Sequence, residues 1–154
     1  MTISLRPASA SDAEAVARLV DDAYRHYVDR IGGKPGPMQA DYSRVIATRS
    51  VTVALDGARS VGVLVTNPAA GELVIENVAV HPAFQGRGVG RRLLDHAEEL
   101  ATALGVPSVR LWTHELMSEN LARYSRRGYV EYGREPLPDG SHLVLMRKEL
   151  PGPG

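Results

Sequence analysis

Cysteine is absent from this 154-residue sequence. A chain without thiols cannot form disulfides, bind a metal through thiolates or carry an acyl group on a cysteine. The composition is compatible with a reducing compartment, where disulfides rarely persist. The five histidines, at positions 26, 81, 96, 114 and 142, also lack the paired spacing of metal ligands, so we expect no metal.

Charge of one sign is lacking too, because 18 lysines and arginines balance 18 aspartates and glutamates. A neutral chain has no excess of basic residues that would indicate nucleic acid or acidic lipid. No apolar run approaches the length of a membrane span, and the start, MTISLRPASASD, has neither the basic nor the apolar region of a signal peptide. We therefore expect a cytoplasmic protein without nucleic-acid or membrane partners.

The length suits one domain with its own hydrophobic core. No internal repeat is present, and low complexity is confined to PGPG at residues 151–154. We predict a single domain over residues 1–150, followed by a disordered Pro/Gly tail.

The stretch 72–104 contains a strand, a glycine-rich loop and a helix, in that order. Residues 73–80 are a nearly continuous apolar run rich in β-branched side chains, which predicts a central strand covered on both faces. Pro82 ends this strand because proline cannot donate to a ladder. Apolar residues then recur at helical spacing up to Leu104, so the loop leads directly into a helix N-terminus.

The loop, QGRGVG at residues 85–90, carries three alternating glycines. Its unobstructed N–H groups can close around an anion, and the helix dipole adds to the attraction. Arg87, Arg91 and Arg92 add positive charge. The spacing fits neither the dinucleotide fingerprint nor a P-loop. The sequence therefore predicts a diphosphate site, with an ordinary surface turn and cap as the alternative.

Short strands and helices make up the rest of the chain. We predict helices at about 11–27 and, more weakly, at 39–48, and an antiparallel meander of three strands around the turns at 56–57 and 67–71. The strand that follows the central helix should lie parallel to strand 73–80 through a right-handed crossover. The predicted strands are 3–6, 51–55, 61–66, 73–80, 108–113, 130–134 and 143–148.

A second motif lies at residues 113–133, where Asn120 and Tyr124 share one face of a short helix. The two motifs resemble those of the GNAT superfamily of N-acetyltransferases, Q/R-x-x-G-x-G/A and, in relaxed spacing, N-x-x-A-x-x-x-Y-x-x-x-G-F/Y. The matching residues are Gln85, Gly88 and Gly90, then Asn120, Tyr124, Gly128 and Tyr129. The resemblance covers about residues 3–149. It implies the α/β (α+β) GNAT acyl-CoA N-acyltransferase fold, with a mixed, mostly antiparallel sheet of six to seven strands and about four helices.

The resemblance also implies a site for acetyl-CoA. Its pyrophosphate would bind the loop amides and Arg91, and its pantetheine would pair with the main chain of Val78 and Val80, where a bulge would make two strands diverge. The N–H near Val78 would point at the thioester oxygen. The implied coenzyme-binding residues are Val78, Ala79, Val80, Gln85, Gly86, Arg87, Gly88, Val89, Gly90, Arg91, Asn120 and Tyr124.

Two side chains are candidates for the chemistry. Tyr124 would protonate the leaving thiolate, as the resemblance implies, and its alternative role is that of a core aromatic. Glu76 would be the base, because a carboxylate among apolar neighbours is costly without a partner or a function. An ammonium has a pKa near 10.4 and a glutamate one near 4.3, so Glu76 would act through water. A structural salt bridge explains Glu76 nearly as well, and His114 or Glu115 could replace it as base.

The implied reaction is transfer of the acetyl group of acetyl-CoA to a primary amine of a small molecule or peptide. With no cysteine to carry the acetyl group, direct attack in a ternary complex is expected. The acceptor would contact Tyr27, Met38, Tyr42 and His114, and the alternative for each is a core or covering role. Another acyl-CoA and a non-catalytic acyl-CoA-binding module stay open as alternatives. A homodimer is one open oligomeric state, since dimers are common in the family.

Overall fold

The computed structural model describes residues 2–152, which form one seven-stranded sheet with helices on both faces. The strands are β1 (Ile3–Pro7), β2 (Ser50–Asp56), β3 (Arg59–Ala69), β4 (Glu72–Val80), β5 (Ser108–His114), β6 (Val130–Pro136) and β7 (His142–Glu149). The helices are α1 (Ala13–Tyr24), α2 (Tyr27–Ile31), α3 (Tyr42–Thr48), α4 (Val89–Leu104) and α5 (Ser118–Arg126). The order is β1-β2-β3-β4-β5-β7-β6, and β4 and β5 run parallel while the other neighbours run antiparallel. The predicted mixed sheet is confirmed.

Residues 2–152 contain five α-helices, where about four were expected. The first predicted helix breaks at Arg25 and His26, and α2 follows it as a separate short helix. The second predicted helix is wrong at its start, because residues Gly36–Gln39 form a 3-10 turn and α3 begins only at Tyr42. The Asp41 side chain caps α3 by accepting a hydrogen bond from the Ser43 N–H at 3.1 Å.

Strands β2, β3 and β4 form the predicted antiparallel meander. β3 continues to Ala69, beyond its predicted end at residue 66, so the turn to β4 shrinks to Ala70 and Gly71. Both residues have positive φ, at 52° and 78°. Two-residue hairpin turns adopt this geometry because it matches the twist of the flanking strands.

Each face of the sheet has its own hydrophobic core. Leu93 and Leu94 of α4 are buried on one face, and Val16 and Val20 of α1 are buried on the other. Gly62 of β3 lets α4 approach closely, since a Cβ there would lie 2.9 Å from Val89 Cγ1. The sheet is therefore fixed from both sides, and its middle strands are positioned rigidly.

The parallel strands β4 and β5 diverge after three paired positions, of which the last joins Ile75 to Leu111. Next to this point the ladder between β3 and β4 shifts register, and Glu76 is the extra residue of a β-bulge. A bulge bends its strand, so residues 77–80 stay paired with β3 and separate from β5. The divergence expected from a bulge is confirmed, and it opens the sheet at its centre.

Between residues 2 and 152, no helix has both the length and the apolar character needed to cross a bilayer. Pro151 and Gly152 are exposed and outside regular secondary structure. The last two residues of the predicted tail, like Met1, lie outside the described residues.

Candidate active site

A cavity of about 470 Å³ occupies the gap between β4 and β5. Residues 75–78 of β4 and 111–114 of β5 form its floor. Two loops wall it, one at residues 32–37 and the other at 137–139, while Met117, Asn120 and Tyr124 line it from the side of α5. The volume is typical of a small-molecule site.

A second cavity, of about 180 Å³, lies between α1, α5 and the free part of β4. Residues 78–80 of β4, Gln85 and Arg123 line it. Tyr24, Val78 and Asn120 line both cavities, so the two spaces lie next to each other at these residues. Two ligands that enter from opposite sides can therefore come together beside Val78.

The main chain of β4 presents polar groups to this junction. The His81 N–H donates to Val61 O at 2.9 Å, and antiparallel ladders alternate, so the main-chain groups of Val80 and Val78 point away from β3. Side chains on the open side reach both carbonyl oxygens: Gln85 Nε2 donates to Val80 O at 3.2 Å, and Tyr24 Oη lies 3.2 Å from Val78 O. The N–H of Val78 faces the same side.

The glycine loop ends at the N-terminus of α4. Gly86 and Gly88 have φ of 78° and 85°, where a side chain is strained. The first amide that bonds back into the helix is that of Arg92, which donates to Gly88 O at 3.1 Å. In the described part of the chain, the amides of residues 86–91 have no hydrogen-bond partner, which leaves six successive donors at the positive end of a helix dipole.

Arginines lie around this loop, but one of the three expected there, Arg92, is engaged elsewhere. Arg87 lies over the Phe84 ring at 5.4 Å, and Arg59 of β3 lies over the same ring at 5.1 Å. Arg91 is exposed at the first turn of α4. Arg92 donates to Ile3 O and so holds β1 instead of adding its charge to the loop. Arg59 was not predicted, because only the fold brings β3 beside residue 84.

Tyr124 is 5% exposed and lines the large cavity. Its phenol oxygen has no hydrogen-bond partner among the described residues. No side-chain nitrogen or oxygen of these residues is fully buried without a partner, so this oxygen is open to the cavity. Burial raises the pKa of Tyr124 to about 12. The phenol therefore keeps its proton at neutral pH and can donate it.

Glu76, the candidate base, lines the same cavity but is already paired. Its Oε1 accepts from Arg49 Nε at 2.9 Å, and its side chain is 27% exposed. The carboxylate lies at the gap next to the bulge, and the positive charge of Arg49 compensates its negative charge. Both the catalytic role and the salt bridge considered from the sequence are compatible with this geometry.

The two alternative bases differ in position. His114 lines the cavity, but its Nδ1 accepts from the Leu116 N–H at 3.1 Å and its Nε2 lies 3.1 Å from Ser141 Oγ. Since the backbone bond requires an unprotonated Nδ1, Nε2 carries the proton of the neutral ring and has no lone pair for a base. Glu115 does not line the cavity and pairs with Arg134 at 3.2 Å.

Three of the four residues expected to contact the acceptor do not line the large cavity. Tyr27 lines the small one and donates to Glu119 Oε2 at 2.8 Å. Tyr42 is buried and donates to Pro37 O at 2.6 Å, and Met38 packs against the core under α1. Burial raises the pKa of both Tyr27 and Tyr42 to about 12. His114 is the one of the four that lines the large cavity.

A buried polar chain links the bulge to the wall of the cavity, and sequence reasoning missed it. Asn77 accepts from Tyr24 Oη at 2.8 Å and donates to Tyr42 Oη at 3.2 Å, and Tyr42 in turn donates to Pro37 O. Asn77 is a polar residue within an apolar strand, and this could have indicated a buried hydrogen-bond partner. The same kind of argument was applied to the neighbouring Glu76. Between residues 2 and 152 no three His, Asp or Glu side chains cluster as metal ligands, and the absence of a metal stays a prediction.

Known proteins match this chain in sequence. A family model for the acetyltransferase (GNAT) domain matches residues 47–131, more than half of the chain. An IAA acetyltransferase of Azospirillum brasilense is 27% identical over 150 residues, which cover 89% of this chain and 92% of that protein. An S-(2-succino)cysteine N-acetyltransferase of Bacillus subtilis is 38% identical over 74 residues, or 47% of this chain and 45% of that protein. The chain thus matches less than half the length of that second relative.

Solved structures share the fold over nearly the whole chain. The PaiA N-acetyltransferase of Thermoplasma acidophilum, solved in complex with coenzyme A, superposes with a TM-score of 0.83 at 17% identity. The match covers 97% of this chain and 100% of that one. The residues matched by the family model include the bulge, the diverging strands, the glycine loop and Tyr124. The chain belongs to the acetyltransferase (GNAT) family of N-acetyltransferases.

Proposed function

We propose that this protein transfers the acetyl group of acetyl-CoA directly to a primary amine. The observation that carries the proposal is the adjacency of two cavities at Val78, with the glycine loop at the end of the smaller one. Acetyl-CoA would enter on the loop side and the amine on the side of the large cavity. Proximity of the two reactants would then replace a bimolecular encounter.

The diphosphate of acetyl-CoA suits the six amides of the glycine loop. These donors and the charges of Arg59, Arg87 and Arg91 favour an anion at the start of α4. Pantetheine would run along residues 78–80, whose outward main-chain groups resemble an unpaired sheet edge. Tyr24 and Gln85, which contact the carbonyl oxygens of Val78 and Val80, would either move aside or stay in contact with the pantetheine.

The amine nitrogen would attack the thioester carbon, and the Val78 N–H would stabilise the oxyanion that forms. The C–S bond then breaks as the C=O reforms, and Tyr124 donates its proton to the departing thiolate. The amine would first lose its ammonium proton to solvent, because only the free amine has a lone pair for the attack. The extra proton on nitrogen after the attack would then pass through a water molecule to Glu76, and Tyr124 would recover its proton from solvent. Each bond that forms is thus matched by one that breaks, and CoA and an amide are the products.

Two other functions use the same site. The first is transfer of a longer acyl group, which the large cavity has the volume to admit. The second is acyl-CoA binding without chemistry, in which Tyr124 would only fill space. The open phenol oxygen of Tyr124 favours catalysis, because a tyrosine with a purely structural role in a cavity wall gains nothing from an unpaired hydroxyl.

A thiol-release assay with acetyl-CoA and a panel of primary amines tests the proposal. We expect CoA to appear at a rate that saturates with the amine, with one acetylated amine formed per CoA. Incubation without an amine is the control for hydrolysis. Heat stabilisation by acetyl-CoA with no turnover on any amine would instead identify a binding module.

A further inference from the structure

We propose that the acceptor is an amine with an apolar body and no carboxylate. This inference rests on the proposed acetyl transfer and names the substrate class of the same site. It follows from what lines the large cavity outside the junction with the coenzyme side. The amine nitrogen must reach Val78, so the remainder of the acceptor has to occupy the space between the two wall loops.

The surfaces around that space are apolar. Ile75 and Leu111 form a buried floor at the point where the strands diverge. Trp112, which is 38% exposed, lies beside them, and Ile31 and Leu143 are half-buried on opposite walls. An apolar acceptor would cover Trp112, Ile31 and Leu143 and remove their exposed surface from water, which favours binding in proportion to the area covered. A strongly hydrated acceptor would gain nothing from them.

The charges of the cavity point the same way. Asp139 contributes one carboxylate and Glu76 a second, which is paired with Arg49. Among the lining residues, all within the described part of the chain, Lys34 is the one lysine or arginine. Lys34 is exposed on a loop, whereas tight binding of a carboxylate calls for an arginine fork or paired donors. His114 is neutral in its hydrogen-bonding arrangement. A substrate carboxylate would therefore find no arginine partner among the residues that line this cavity.

A matched pair of amines tests the inference, since 2-phenylethylamine and L-phenylalanine differ only by a carboxylate. We expect kcat/KM for 2-phenylethylamine to be at least about tenfold higher, as a carboxylate buried without a partner costs more than one decade of affinity. L-phenylalaninamide, which has the same skeleton without the negative charge, should recover most of the rate. Equal or faster turnover of L-phenylalanine, or of S-(2-succino)cysteine, would overturn the inference.

A pair of variants tests the apolar lining of the cavity. Trp112→Ala should lower kcat/KM for 2-phenylethylamine about tenfold, the usual effect of removing apolar contacts from a pocket, and should leave KM for acetyl-CoA unchanged. Tyr132→Ala is the control, because Tyr132 is 42% exposed on β6, the edge strand that β7 separates from β5, and does not line the cavity. An unchanged kcat/KM in Trp112→Ala would contradict the role of this apolar lining.

Failure of the inference can be told from failure of the proposed function. If carboxylated or strongly polar amines are the better substrates, the acetyl transfer stands and the inferred class is wrong. If no amine in the panel releases CoA although acetyl-CoA raises the melting temperature, the proposed function itself fails and the inference with it.

Discussion

The phenol of Tyr124 combines two properties that rarely occur together in a core residue. Its ring is buried against Tyr129 in an edge-on contact, while its oxygen opens into the large cavity. Burial raises its pKa to about 12, so the group stays protonated throughout the working pH range. Tyr124 is therefore in the protonated form that a general acid needs, beside the junction of the two cavities where the thiolate would form.

Replacing Tyr124 by Phe should lower kcat by about 10²- to 10⁴-fold, the usual contribution of a general acid. KM for acetyl-CoA should change little, because the hydroxyl acts on the leaving sulfur in the transition state. Steady-state kinetics at neutral pH measure both values. Tyr129→Phe is the matched control, since Tyr129 Oη donates to Glu98 Oε2 at 3.3 Å and Tyr129 does not line the cavity. Unchanged turnover in Tyr124→Phe would remove this residue from the mechanism.

At the scale of one element, helix α4 has a left-handed glycine at each end. Gly88 precedes it with φ of 85°, and Gly105 follows it with φ of 74°. Neither position is crowded, since a Cβ at either would meet nothing within 4 Å. The two glycines therefore share the same conformational demand, but only Gly88 orients the amides of the predicted diphosphate site.

This symmetry gives a controlled experiment. An alanine at either position is strained by roughly 1–2 kcal/mol in the left-handed conformation of the native fold, so Gly88→Ala and Gly105→Ala should lower the melting temperature alike. Gly88→Ala should also weaken binding of CoA about tenfold by calorimetry, because the free loop would relax out of the strained conformation and CoA binding would have to restore it. Gly105→Ala should bind CoA as the wild type does. Equal CoA affinity in the two variants would refute the loop assignment.

At the scale of the whole molecule, Glu119 joins the two sides of the small cavity. The carboxylate on α5 accepts from Arg30 Nη1 at 2.8 Å and from Tyr27 Oη at 2.8 Å, and both donors belong to α2. The hydrogen bond from Arg30 is the main reason that the pKa of Glu119 falls from 4.5 to about 2. A carboxyl group whose pKa is lowered by folding stabilises the fold at pH values above its ordinary pKa. This stabilisation is lost as the pH falls from the ordinary pKa toward the lowered pKa.

Glu119→Gln should therefore melt at a lower temperature than the wild type at pH 7. The difference should narrow as the pH falls below about 4.5, because the wild-type carboxylate is then protonated and loses the same interaction. Melting curves between pH 7 and pH 3 measure this effect. Glu99→Gln, on the exposed face of α4, is the control and should follow the wild type at every pH. A difference that stays constant down to pH 3 would contradict the assignment.

Most elements of the fold could be predicted because local patterns specify them. The apolar run before Pro82, the turn at Gly71 and the helical spacing after Gly90 each depend on neighbours in sequence. The start of α3 was missed although Asp41 is a local capping signal that could have located it. The break before α2 carries no such signal, and there Tyr27 is buried by the fold. Tyr42 and Met38 carry no local sign that they face the core and not the cavity.

Residue types at set spacings were enough to indicate the family, the glycine loop and the tyrosine expected to act on the leaving group. The tertiary structure decided which groups share one space. It pairs Glu76 with Arg49, brings Arg59 beside the loop, and places Trp112 between two walls that are distant in sequence. Such contacts arise from the bulge in β4 and from the order of the strands, and no local pattern encodes the distance between residues that only the folded sheet brings together.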